Sequence, residues 1–139
     1  MKKKTLIIGV LILILTSACS KVEEQHKFDE EKLIDLSLEL VSEANKANSQ
    51  PIYDIFDETY RKLASIEVIN EFIAFQLSKA TNYDSIIKTT FSQSVHPLDK
   101  YPIGSVVVLA RFENGTMTYT FNYNELNEII GFSMNFLLK

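Results

Sequence analysis

The sequence is short of the residues on which most protein chemistry rests. Its 139 residues include one cysteine, Cys19, and two histidines, His26 and His96. A single cysteine excludes an internal disulfide and every multi-cysteine metal site, and two histidines cannot build a histidine-rich one. No metal or cofactor is expected. The four glycines form no phosphate-cradling loop, and neither a nucleophile elbow nor a His-Glu-x-x-His pair occurs. Positive charge is scarce as well. Of fourteen basic residues, Lys2, Lys3 and Lys4 sit in a leader, which leaves eleven against eighteen acidic side chains. Such a surface repels phosphate backbones, so nucleic acid is not an expected partner.

What the chain does have begins at its N-terminus. Lys2 to Lys4 are followed by an apolar run from Leu6 to Leu15 and then by Thr16, Ser17 and Ala18. That order of charge, apolar run and small residues is an export signal over residues 1–18. The run is about ten residues, and about twenty are needed to cross a hydrocarbon core as a helix. Leu15-Thr16-Ser17-Ala18-Cys19 resembles the lipobox of bacterial lipoproteins, with Thr16 where Leu is usual. The resemblance implies a diacylglyceryl thioether on Cys19, palmitate incorporation and a lipid anchor on the extracytoplasmic side of the cell membrane. Residues 19–27 then read as the lipidated cysteine and a flexible polar tether, with His26 a solvated side chain.

Residues 28–139 read as one domain, long enough to bury a core. The first half is helical. Leu33, Leu36, Leu40 and Ala44 recur at intervals of three and four, with Asp29 placed to cap and Glu30 and Glu31 near the positive end of the dipole. Ser49-Gln50-Pro51 opens a second, short helix carrying Ile52, Ile55, Phe56, Tyr60 and Leu63. Its acidic set of Asp54, Asp57 and Glu58 reads as a solvated face. Ser65 caps a third helix over residues 66–80, apolar enough to be expected deepest against the sheet.

The second half alternates with period two, the mark of strands with one buried face. Residues 84–95 form a first strand with Ile87, Thr89, Phe91 and Val95 on one parity, and His96 to Pro102 a loop. Asn114-Gly115 reads as a two-residue hairpin loop of the kind that needs positive φ. That loop sets Phe112 opposite Met117, Ala110 opposite Tyr119, Val108 opposite Phe121 and Val106 opposite Tyr123. A four-residue loop over 124–127 would set Phe121 opposite Ile130 and Tyr119 opposite Phe132. The three strands share one apolar, aromatic face; the reverse face carries Val107, Leu109 and Leu137 among polar residues.

Helices followed by a curved antiparallel sheet, with the run from Val106 to Phe132 its most specific part, resemble the nuclear-transport-factor-2-like fold of the ketosteroid-isomerase-like superfamily. The resemblance implies an α+β cone, with Tyr119, Phe121, Tyr123 and Phe132 as pocket-lining residues. It also implies one catalytic alternative, an isomerase or cyclase with His96 or Asp54 as base and Tyr119 or Tyr123 as donor. The leading expectation is a non-catalytic, membrane-tethered domain that binds a small apolar ligand in the cone or a protein partner through the reverse face. An inhibitor or immunity protein of the cell envelope is the third reading.

Overall fold

A computed structural model describes residues 27–139. The export signal over 1–18, Cys19 and the tether through residue 26 lie outside the described residues. Four helices precede four strands: α1 Glu30–Asn45, α2 Gln50–Asp54, α3 Glu58–Leu63, α4 Ile66–Ser78, β1 Tyr83–Val95, β2 Pro102–Phe112, β3 Gly115–Tyr123 and β4 Ile129–Leu138. The strands form one antiparallel sheet in the order β1-β2-β3-β4. This is the α+β arrangement the periodicities predict: N-terminal helices on one face of a curved, unclosed C-terminal antiparallel sheet.

Local chemistry starts the helices where the sequence places them. Asp29 accepts the amide of Lys32 at 3.1 Å to cap α1, and Ser65 accepts that of Val68 at 3.5 Å to cap α4. Leu33, Ser37, Leu40, Val41 and Ala44 form the buried stripe of α1, while α4 buries only Ile69, Ile73 and Gln76. The deepest helix is therefore α1, not α4. Val68 and Phe75 of α4 face solvent, because α4 lies at the β4 side of the sheet and turns only one narrow stripe inward.

The expected second helix is two. Ile129 breaks it by reaching across from β4: its amide donates to the Ile55 carbonyl at 2.8 Å, and its carbonyl accepts from the Asp57 amide at 3.0 Å. Phe56, between them, forms a parallel bridge to Ile129. Asp57 then caps a fresh start, accepting the Tyr60 amide at 2.7 Å. Ser49 makes no capping bond; its hydroxyl is bonded to Asn70 instead.

Both hairpins slide by two residues and keep the expected faces, except at the start of β4, where a bulge buries Ile129 opposite Tyr123 in place of the expected Ile130. Phe112 pairs with Gly115, Ala110 with Met117, Val108 with Tyr119 and Val106 with Phe121. The turn residues are Glu113 and Asn114, and among the described residues no glycine has positive φ. A shift of two leaves every side chain on its own face, so alternation alone cannot detect it. What selects the observed turn is Asn114. Its Oδ1 accepts from the Thr81 amide at 2.9 Å and the Thr81 hydroxyl at 3.0 Å, and its Nδ2 donates to the Lys79 carbonyl at 2.9 Å. The side chain is thereby tied to the exit from α4. At the next connection, Asn124 Oδ1 accepts the amides of Leu126 and Glu128, both at 2.9 Å, and Asn127 takes φ 60°. That longer loop ends in a bulge at Tyr123, after which Phe121 pairs with Phe132 and Tyr119 with Met134.

The first strand departs most from expectation. Irregularities between Tyr83 and Ser85 and between Ile86 and Lys88 put Ile86 opposite Ala110. Ile87 and Val95 are exposed, although α1 packs against both β1 and β2. The core itself runs beneath α1 along β2, β3 and β4. Val106, Val108, Ala110, Met117, Tyr119, Phe121, Tyr123 and Ile129 all have zero exposure there.

Candidate functional site

The aromatic face is filled. Tyr119, Phe121 and Tyr123 are fully enclosed by their neighbours. Phe121 stacks on Tyr123 with centroids 6.3 Å apart and meets Phe132 at 5.2 Å. Phe132, half-buried, presents its edge to Phe72 at 6.1 Å. All four residues are brought together, and the helices occupy the space above them.

Buried hydroxyls need partners, and α1 supplies both. Tyr123 Oη lies 2.8 Å from the hydroxyl of fully buried Ser37, and Tyr119 Oη donates to Asn45 Oδ1. Ser37 and Asn45 are the residues that reading the sequence missed. A serine at the i+4 position from Leu33 interrupts an apolar stripe, and that interruption is the one signal that could have found it. Burial pushes the Tyr123 hydroxyl up to about 12, with the Ser37 bond opposing. Burial likewise raises Tyr119, with Tyr83 adding to the effect and Asn45 opposing it.

The sign of the resulting pH dependence is fixed. Between pH 10 and about 12 the unfolded tyrosine loses its proton and the folded Tyr123 keeps it, so the unfolded state binds fewer protons and stability falls. The contribution is present in full below pH 10 and decays through that window by about 2–3 kcal/mol. Urea midpoints measured from pH 8 to 12 should drop accordingly, and Tyr123→Phe should make the drop shallower. An identical profile for the variant would show that Tyr123 is not buried in this way.

The other residues considered for chemistry lie elsewhere. Asp54 is exposed on α2, accepting from Gln50 at 2.7 Å. His96 stands at the β1–β2 turn with its ring stacked 4.7 Å from Tyr101. Its Nδ1 accepts the Asp99 amide at 3.1 Å. Among the described residues, neither the acidic set on α2 and α3 nor the turn histidine is hydrogen-bonded to Tyr119 or Tyr123, whose hydroxyls meet Asn45 and Ser37; Glu58 pairs with Lys62 at 2.7 Å instead.

A cleft of about 530 Å³ lies at the end of the sheet near the β1–β2 and β3–β4 loops. Helix α3 contributes Tyr60 and Leu63, with Asp57 and Thr59 beside them. The β1–β2 loop contributes Asp99 and Tyr101, and the β3–β4 connection Asn124 and Glu125 with Ile130 beyond it. None of the four aromatic core residues lines it. Two of its carboxylates already have partners: Asp57 caps α3, and Glu125 lies 3.4 Å from Lys27. Among the described residues, no group of three His, Cys, Asp or Glu is placed to hold a metal.

A protein from Ruminococcus gnavus ATCC 29149, solved by NMR, is similar to this chain. The two superpose with a TM-score of 0.64 at 19% identity, over 78% of this chain and 93% of the other. At that identity the likeness shows the fold. A comparison with curated proteins finds no match. The family described as a protein of unknown function, DUF3887, matches residues 37–132, from the buried serine of α1 to Phe132 on β4. The chain belongs to that family.

Proposed function

We infer that this protein is a membrane-anchored, extracytoplasmic lipoprotein whose folded domain binds and does not catalyse. The observation that carries the reading is Cys19, the one cysteine, standing directly after Leu15-Thr16-Ser17-Ala18 at the end of a charged and then apolar leader. Two acyl chains on that cysteine would hold the domain stably, where one would not. No helix among the described residues is long and apolar enough to cross a membrane.

The interior supports a binding role over the isomerase or cyclase alternative. A cone enzyme needs free donors facing an open pocket, whereas the Tyr119 and Tyr123 hydroxyls are bonded to Asn45 and Ser37 and burial holds both protonated. Binding therefore moves to the outside of the domain. The cleft beside α3 has room for a small ligand, and its apolar lining includes Leu63, largely exposed, and Ile130, partly buried.

Cys19→Ala should leave an unprocessed precursor that incorporates no labelled palmitate, and fractionation should release it from the lipidated pool. Persistent labelling of that variant would sink the lipoprotein reading. The binding half has its own check: crosslinking of the native protein in cells, with mass spectrometry of molecules that co-purify. Recovery of neither partner nor ligand would overturn it.

A further inference from the structure

The chain leaves the fold toward Cys19 from one particular end of the sheet. Lys27, the first described residue, lies 3.4 Å from Glu125 of the β3–β4 connection. The Phe28 ring packs so close to Gly104, near the start of β2, that a Cβ there would stand 2.9 Å from it. The β1–β2 loop reaches the same place, since Asp99 and Tyr101 line the cleft together with Asn124, Glu125 and Leu63. Both loops and the last residue of α3 therefore sit where the tether departs. From Cys19 to Lys27 the chain covers at most about 28 Å even when fully extended. The ten residues of β4 put the far end of the sheet about 30 Å beyond that point.

The same end holds the barest apolar side chains. Leu98 is 82% exposed, Leu126 77% and Leu63 76%, the three highest values among the large apolar residues described. Single exposed leucines are ordinary, but these three gather at one end and each stands on a braced segment. In the β1–β2 loop the His96 carbonyl accepts the Lys100 amide at 3.0 Å and its Nδ1 accepts the Asp99 amide at 3.1 Å. Tyr101 stacks on the same ring, so Leu98 is carried on a fixed turn. Asn124 holds the amides of Leu126 and Glu128 in the β3–β4 connection. Helix α3 is fastened to β4 through Tyr60, whose hydroxyl accepts from the Phe132 amide at 3.1 Å and donates to its carbonyl at 3.4 Å. Leu63 follows three residues later. These bonds hold each leucine away from the core.

We propose that this end of the domain docks on the lipid surface, with Leu98 and Leu126 entering the boundary between headgroups and acyl chains and Leu63 beside them. The proposal rests on the lipid anchor inferred at Cys19. A bilayer fits this end better than a protein partner, because the length of the tether and its point of departure bring lipid here in every anchored copy. The side chains suit an interface as well. Tyr101 places an amphipathic ring at headgroup level, and Lys100 beside it can carry its ammonium out to the phosphates along an apolar stem. The attraction is apolar and not electrostatic, since Glu125 offsets Lys27 and Asp99 stands next to Lys100. A few leucines hold a free domain to a membrane only weakly. The anchor makes their insertion intramolecular, and the high effective concentration then favours the docked state.

Acylation occupies the thiol of Cys19, so an introduced cysteine can be labelled selectively. The full chain, isolated from membranes in detergent, is reconstituted into phosphatidylcholine vesicles with or without brominated acyl chains. A fluorophore is placed on Leu98→Cys, Leu126→Cys or Leu138→Cys. Leu138 is exposed too, but it ends β4 at the far end of the sheet, where its label stays in water. Brominated lipid should quench the labels at 98 and 126 at least about twofold, as expected for groups about 5–10 Å into the boundary, and leave the label at 138 unchanged. Leu98→Lys in the chain labelled at Leu126→Cys should remove most of the quenching, with the circular dichroism unchanged, because the two loops dock as one surface. A chain that floats with the vesicles but shows no quenching at 98 and 126 overturns the docking and leaves the anchor standing. Equal quenching at 138, or quenching at 126 that Leu98→Lys does not alter, does the same. A chain that fails to float overturns the anchor and the docking with it.

Discussion

Gly115→Ala is expected to destabilise the domain by about 3 kcal/mol, the upper range for forcing a methyl into a filled core. A Cβ at this position would stand 2.2 Å from the Leu137 carbonyl oxygen and 2.7 Å from the Phe136 ring. The ring can turn aside. The carbonyl cannot, because it belongs to β4 where Gly115 pairs with Leu138, so the methyl must spread the two strands or distort the turn before it. Thermal unfolding should fall by roughly 15 °C for a domain of this size. The cause is contact and not a left-handed backbone, since Gly115 has no positive φ. A melting point within a degree or two of wild type would mean that the hairpin does not have this register.

Phe121→Ala should cost about 4 kcal/mol. Phe121 has zero exposure and lies between Tyr123 and Phe132, and neither neighbour can follow a vanished ring without giving up its own packing. Total stabilities are about 5–15 kcal/mol, so the variant should unfold at a much lower urea concentration and sit near its transition at 37 °C. The experiment also separates two views of the aromatic face. An aromatic that lines an open pocket can be trimmed with little loss of stability; one that fills a core cannot. A urea midpoint that barely moves would restore the open cone.

The contrast between the two hairpins and the helical half marks what a sequence can reveal here. Faces were legible: Val106, Val108, Ala110, Met117, Tyr119, Phe121 and Tyr123 alternate, and all seven are buried. Register was not, because a slide of two residues leaves that alternation intact, and the deciding contacts join Asn114 to Lys79 and Thr81, over thirty residues away. The caps at Asp29 and Ser65 were readable because a cap and its amide are three residues apart. The division into α2 and α3 was not, since Ile129 imposes it from β4. The same limit governs the candidate site. Four aromatics on one face could be read as a pocket wall or as a core floor, and the choice rests on Ser37 and Asn45 of α1, whose only sequence trace is polarity on a mostly apolar stripe. The cleft beside α3 draws on three separate parts of the chain, and no local pattern announces it. The lipobox resemblance is local in the extreme, five consecutive residues, which is why it could be read without a structure.

The clasp at Ile129 also has a meaning in time. Helices of five and six residues, the lengths of α2 and α3, do not persist alone, because nucleation costs more than so few bonds return. Here their junction is held by a residue that is among the last third of the chain to be made. The segment from Gln50 to Leu63 can therefore take its final shape only once β4 has joined the sheet, and its order is a late event in folding. Until then the Tyr60 hydroxyl is also absent from the Phe132 backbone, so the β4 edge stays unsealed through the same interval. The helix break is thus also what closes the β4 edge.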